Sequence, residues 1–153
     1  MKLKKMKSIN TIAFNLLAVI VAVFFITNNS LSENFFSEAK QEFDEKNYDD
    51  SKFLFQRNIV FNPKDSKSYL YLAKIFESEE NEIEEEKNIY TTLLLEPDNE
   101  EAMYMLIDMK LEKSDIQMVE ELREKFKIIC NSLCSKIESI EERLSNIDVS
   151  NGS

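Results

Sequence analysis

Apolar positions along this chain follow three rhythms. Residues 9–26, INTIAFNLLAVIVAVFFI, are an almost unbroken apolar run, interrupted by Asn10, Thr11 and Asn15. Between about 32 and 114 the apolar residues recur at helical spacing. Tyr69, Leu72, Ala73 and Phe76, separated by steps of 3, 1 and 3, predict an amphipathic helix. Two stretches close alike, NYDDSKFLFQRNIVFNP at Pro63 and EIEEEKNIYTTLLLEP at Pro97, and the two prolines lie 34 positions apart. From Asp115 the steps alternate between four and three. Val119, Phe126, Leu133, Ile140 and Ile147 fall on one register, and Arg123, Cys130, Ile137 and Leu144 on the other. That pattern predicts one long amphipathic, coiled-coil-like helix over 115–147, with Asp115 as its N-cap and a disordered tail over 148–153.

A 34-residue period ending in Pro after an apolar helix resembles the tetratricopeptide repeat (TPR) family. In the first repeat, about 32–65, Ala39 and Ser51 fall where two antiparallel helices approach closely. Tyr48 falls at the turn and Phe55 at the aromatic position, followed by Ile59, Phe61 and Pro63. The second repeat, about 66–99, carries Tyr69, Leu72, Ala73 and Phe76, then Ile89, Leu93, Leu95 and Pro97. Here Glu85 occupies the small position, and ENEIEEE stands where the family has a tight Gly-containing turn, so either the helix starts late or the turn is irregular. The third repeat places Met103, Leu106 and Ile107 on its first helix, with Ile107 at the small position. The resemblance implies an all-α chain: a short α-solenoid of about three TPR-like hairpins over 32–114, carried between an N-terminal transmembrane helix and the long C-terminal helix.

The first of these appendages follows from length and charge. Eighteen helical residues reach about 27 Å, close to a bilayer's hydrocarbon thickness of roughly 30 Å. Lys2, Lys4, Lys5 and Lys7 precede the run, and acids follow it. By the positive-inside rule residues 1–8 form a cytoplasmic basic tail, 9–27 a signal anchor in the inner (cytoplasmic) membrane, and 28–31 a linker to a body outside the cytoplasm. The alternative is export after signal cleavage. Against it, the run is long for a signal peptide and VFFITNNS offers no small-residue cleavage site.

Composition narrows the function classes. There is no His and no Trp, and the one Gly is Gly152. No imidazole is available for a catalytic couple or a metal site, and no glycine-rich phosphate loop can be built. No catalytic residue, metal or cofactor is therefore expected. Residues 1–30 hold four of the 19 basic residues and none of the 29 acids, so the remainder carries 15 against 29, a net charge of −14. A body so acidic repels phosphate backbones and disfavours nucleic acid. Its expected partners are proteins, through helical, basic or apolar segments.

The family resemblance implies where such a partner would bind, since the first helix of each repeat lines a concave groove. The groove positions are Phe36, Lys40 and Phe43, then Leu70 and Lys74, then Tyr104, Asp108 and Leu111. With only Lys40 and Lys74 suitably placed, a carboxylate clamp is disfavoured. The same apolar residues could instead pack internally, including against the C-terminal helix. In that helix Ile137, Ile140, Leu144 and Ile147 form a candidate assembly seam, either capping the repeats or pairing with a second copy or a partner. Cys130 and Cys134, four apart on one expected helix, suit an intrahelical disulfide poorly. They read as small packing residues or as the source of an intermolecular bridge. The expected function is a non-enzymatic, membrane-anchored scaffold or adaptor for a cell-envelope complex (secretion, outer-membrane assembly or a flagellar-motor collar). The alternative is a periplasmic chaperone or translocon accessory that holds unfolded clients.

Overall fold

The computed structural model describes residues 35–151. The basic tail, the apolar segment 9–27 and the linker lie outside the described residues. No helix among the described residues is long and apolar enough to cross a membrane. The regular elements among these residues are all helices, with no strand. A helix over 35–44 (α1) is followed by α2 (Tyr48–Phe61), α3 (Ser66–Ser78), α4 (Glu82–Leu95), α5 (Glu100–Glu112), α6 (Ile116–Ile129) and α7 (Lys136–Asn151). The described residues divide into two compact units, one ending at Pro63 and the other starting at Lys64.

The 34-residue period is written into the backbone as well as the side chains. Lys46, Glu80 and Ser114 all adopt left-handed φ, at 64°, 56° and 54°. Each ends the first helix of a hairpin in the same two-bond turn. The amides of Asn47, Asn81 and Asp115 donate to the carbonyls of Glu42, Phe76 and Lys110, and those of Lys46, Glu80 and Ser114 donate to Phe43, Glu77 and Leu111. This pairing satisfies carbonyls that a helix end would otherwise leave without partners. The ENEIEEE stretch therefore holds the end of a regular turn, Glu80–Asn81, and then the first residues of α4 from Glu82, with the Asn81 side chain accepting from the Glu84 amide. Asp115 caps α6 through the Met118 amide, as expected, and Asn99 caps α5 through that of Ala102.

In the first unit α1 and α2 close on Ala39 and Phe55, both fully buried. The Ser51 hydroxyl donates to the Ala39 carbonyl over 2.9 Å, which fixes the close approach of the two helices. Phe35 stacks on Phe61 at 5.6 Å, and the Arg57 guanidinium lies over the Phe35 ring.

The second unit has one continuous core, built from Leu70, Ala73, Ile89, Met103, Leu106, Ile107, Val119, Phe126, Ile140, Leu144 and their neighbours. Burying an aliphatic or aromatic side chain of this size stabilises the fold by roughly 1.5–3 kcal/mol. Ile107, large where the repeats have a small residue, is itself fully buried, so the third hairpin accommodates the extra volume inside its core.

The C-terminal region corrects the single-helix expectation. The helix predicted over 115–147 is two helices, broken at Cys130. The segment Cys130–Asn131–Ser132–Leu133–Cys134 leaves helical geometry and is closed by a Cys130–Cys134 disulfide with the Cα atoms 5.2 Å apart. A four-residue spacing is awkward for a disulfide within a helix; the chain makes the bond by leaving the helix. Both cysteines are thereby bonded within the chain and are neither free packing residues nor an intermolecular bridge. The helix also continues to Asn151, through what was expected to be tail, since no breaker precedes Gly152.

Candidate partner-binding face

The expected groove residues separate into exposed and buried classes. In the first unit Phe36 is half-buried with its ring edge on Phe55, and Phe43 lies against Tyr48. Lys40 is exposed and bonds Asp44 one turn on. In the second unit Leu70 and Leu111 are buried and belong to the core rather than to a surface. Lys74, half-buried, pairs with Glu101 of α5 at 2.7 Å and sits 4.8 Å from the centre of the Tyr71 ring.

Tyr104 and Asp108 are engaged from the other side. The Lys136 ammonium of α7 lies 5.3 Å from the centre of the Tyr104 ring, and Tyr104 also meets Phe126. Arg143 of α7 donates to the Asp108 carboxylate. Lys127 of α6 pairs with Glu141 of α7 at 3.1 Å. The C-terminal helix is thus laid on α5 and α6. The assembly seam expected at Ile137, Ile140, Leu144 and Ile147 is occupied inside the chain: Ile140 and Leu144 are buried in the core, with Ile137 and Ile147 packed against it. Of the two uses foreseen for this helix, capping is the one adopted here.

A feature that residue patterning missed lies between the ends of α3 and α5 and the start of α4. Glu77, Glu80, Glu82, Glu85, Asp108, Met109 and Glu112 line a recess of about 320 Å³. Burial, then the neighbouring Glu77, Glu112 and Glu82 carboxylates, push the Glu85 carboxyl up to about 7. Glu77 is raised by burial and by Asp108 and Glu112, partly opposed by Lys74. Lys113 reaches one lining residue, Glu82, at 3.1 Å and partly opposes the rise at Glu85. The sequence did carry a signal for this recess, in Glu85 at the position where the two helices of a hairpin approach most closely. A carboxylate there is held against the neighbouring helix instead of being free in water.

Chemically this recess can attract cationic groups. Among the described residues no cluster of side chains is suited to a metal ion.

No family model and no curated protein matches the chain. Solved structures do match, and TPR-fold proteins are among them. The type III secretion chaperone SycD of Yersinia enterocolitica, in complex with a peptide of the translocator YopD, superposes with a TM-score of 0.65 at 15% identity. The match covers 78% of this chain and 93% of that one. The Sgt2 TPR domain of Aspergillus fumigatus gives 0.66 at 14% identity, over 80% and 82%. The first TPR of Spaghetti (RPAP3), bound to the HSP90 peptide SRMEEVD, gives 0.64 at 10% identity, over 80% and 94%. The fold of this chain is therefore that of TPR proteins.

Proposed function

We propose that the protein is a non-enzymatic adaptor, anchored in the inner membrane through residues 9–27. In this reading its TPR body, outside the cytoplasm, holds a basic or basic-and-apolar segment of a cell-envelope protein. The observation that carries the reading is the acid-lined recess at the ends of α3 and α5, the helices on which the family resemblance puts the groove, and at the start of α4. Six acidic side chains on one recess, against Arg143 on Asp108 and Lys113 on Glu82, leave it net negative; it repels an acidic peptide such as SRMEEVD and attracts Lys or Arg, so the shared fold does not imply a shared ligand. Two further observations agree with export: the −14 net charge that begins after the basic, apolar N-terminus, and an intramolecular disulfide, a bond that persists in oxidising compartments.

A second reading, a chaperone of exported clients, draws on the likeness to SycD, which is described as a secretion chaperone. The experiment that separates the two is affinity capture of the tagged full-length protein from gently solubilised membranes. A Glu77→Lys/Glu112→Lys variant is captured in parallel; both positions are exposed, and its helicity is checked by circular dichroism. The adaptor reading expects one dominant stoichiometric partner that the variant loses. Many sub-stoichiometric partners would favour the chaperone, and a partner retained by the variant would exclude the recess.

The membrane placement has its own test. Protease added to spheroplasts should digest the body of an uncleaved chain of 18.0 kDa. Full protection would contradict a body outside the cytoplasm.

A further inference from the structure

The turn between α6 and α7 is held by two devices that depend on each other. One is the Cys130–Cys134 disulfide, which closes a ring of five residues. The other is Glu100, the first residue of α5. Its carboxylate accepts the backbone N–H groups of Asn131 at 2.6 Å, Ser132 at 3.1 Å and Leu133 at 3.1 Å, together with the Ser132 hydroxyl. These donors hold the Glu100 carboxyl down at about 2, the Asn131 amide contributing most. All three amides belong to residues inside the disulfide ring. Three consecutive N–H groups converge on one carboxylate only when the intervening backbone is bent and fixed, and the ring supplies that bend. An open chain of the same residues must be ordered against its own entropy before it can bind the carboxylate.

What lies beyond this turn is held by less. Helix α7 buries Ile140 and Leu144, and it adds Lys136 over Tyr104, the Arg143–Asp108 pair and the Lys127–Glu141 pair. Paired groups at this level of exposure contribute little and are screened by salt. The disulfide itself is accessible, with Cys134 exposed and Cys130 half-buried.

We infer that the Cys130–Cys134 disulfide is a redox latch on α7: a dithiol reductant opens the bond, releases the turn from Glu100 and loosens the helix from α5 and α6. One thiolate of the reductant attacks the exposed Cys134 sulfur, forming a mixed disulfide, and Cys130 leaves as a thiolate that takes a proton. The second thiol of the reductant resolves the mixed disulfide and leaves Cys134 as a thiol. Two electrons and two protons pass to the cysteine pair, and the reductant departs as its own disulfide. The consequence is local. The apolar positions of α5 and α6 beneath α7 become accessible while α3 and α4 keep their packing. This inference goes beyond the adaptor reading and does not require it.

The test is amide hydrogen exchange on the full chain in detergent micelles, with and without excess dithiothreitol. Alkylation and intact mass first establish the bond: two alkylated thiols in the unreduced protein would overturn the inference. On reduction, amides of 136–147 should exchange at least tenfold faster while those of α3 and α4 change less than twofold. A Cys130→Ala/Cys134→Ala variant should show the fast rate with or without reductant. Glu100→Gln, which keeps the disulfide, should exchange faster than wild type in α7 and respond further to reductant. Unchanged α7 exchange in the reduced wild-type protein would make the bond a passive staple. Acceleration spread evenly over the second unit would make it a global support. Either result overturns the latch.

Discussion

At the scale of single residues, the informative positions are those where a charged side chain occupies a place normally given to a small one. Glu80, like Lys46 and Ser114, holds a left-handed φ that costs a residue with a Cβ roughly 1–2 kcal/mol, against roughly 0.5–1 kcal/mol for the extra freedom glycine loses. Glu80→Gly is therefore expected to stabilise the second unit by about 0.5–1 kcal/mol, read from urea unfolding. An unchanged or lower midpoint would contradict this. Patterning missed the regular turns because their usual marker, glycine, is absent; the spacing of 34 was the surviving clue. Glu85 gives a pH prediction. Its folded-state value, about 7, lies above the ordinary 4.5, so the protonated form is the one the fold favours. The stability it contributes is complete below about pH 4.5 and is lost as the pH rises through about 7. Glu77 acts in the same direction, whereas Glu96 and Glu100, both lowered, lose their contribution as the solution becomes more acid than pH 4.5. The melting temperature should accordingly fall between about pH 5 and pH 8, and Glu85→Gln should flatten that fall and raise the value at the alkaline end. A wild-type profile that rises over the same interval would show that the recess is not strained by its charge.

At the scale of elements, helix type was legible, while the break after Ile129 and the run of the last helix to Asn151 were not. The steps of three and four pass through Cys130–Ser135 without a change of phase, because α6 and α7 both turn their apolar stripes toward the same core. A stripe that stays in register hides a break. The break depends on contacts distant in sequence: a covalent bond between two cysteines, and the Glu100 carboxylate some 31 residues upstream of the amides it binds. Neither has a period. The groove positions divide for a similar reason. Family spacing identifies which side of a helix a residue occupies, but the identity of the residue decides whether that side is surface or core. Leu70 and Leu111, both apolar, were drawn inward, while Lys74 and Asp108 kept their charged ends at the surface and found ion pairs. Leu111→Glu is therefore expected to unfold the second unit rather than to probe binding, since a carboxylate at a site 3% exposed has no partner there. Circular dichroism showing native helicity and an unshifted melting curve would contradict that placement.

At the scale of the whole molecule, the period of 34 and the helical spacing of apolar residues led to the fold, and the TPR structures with which the chain superposes agree. Charge pointed toward the kind of partner without locating it, because 29 acids spread over a sequence do not reveal which six converge. Folding brings the turn of one hairpin beside the helix of the next, and the recess is the result. The most direct measurement is the dissociation constant of the captured partner for the wild-type protein and for Glu77→Lys/Glu112→Lys, each at low and high salt. The account predicts binding at least tenfold weaker in the variant, about 1.4 kcal/mol, with a flatter salt dependence because the attraction being screened has been reversed. Equal affinities with equal salt dependence would contradict it and remove the acidic recess from the binding face.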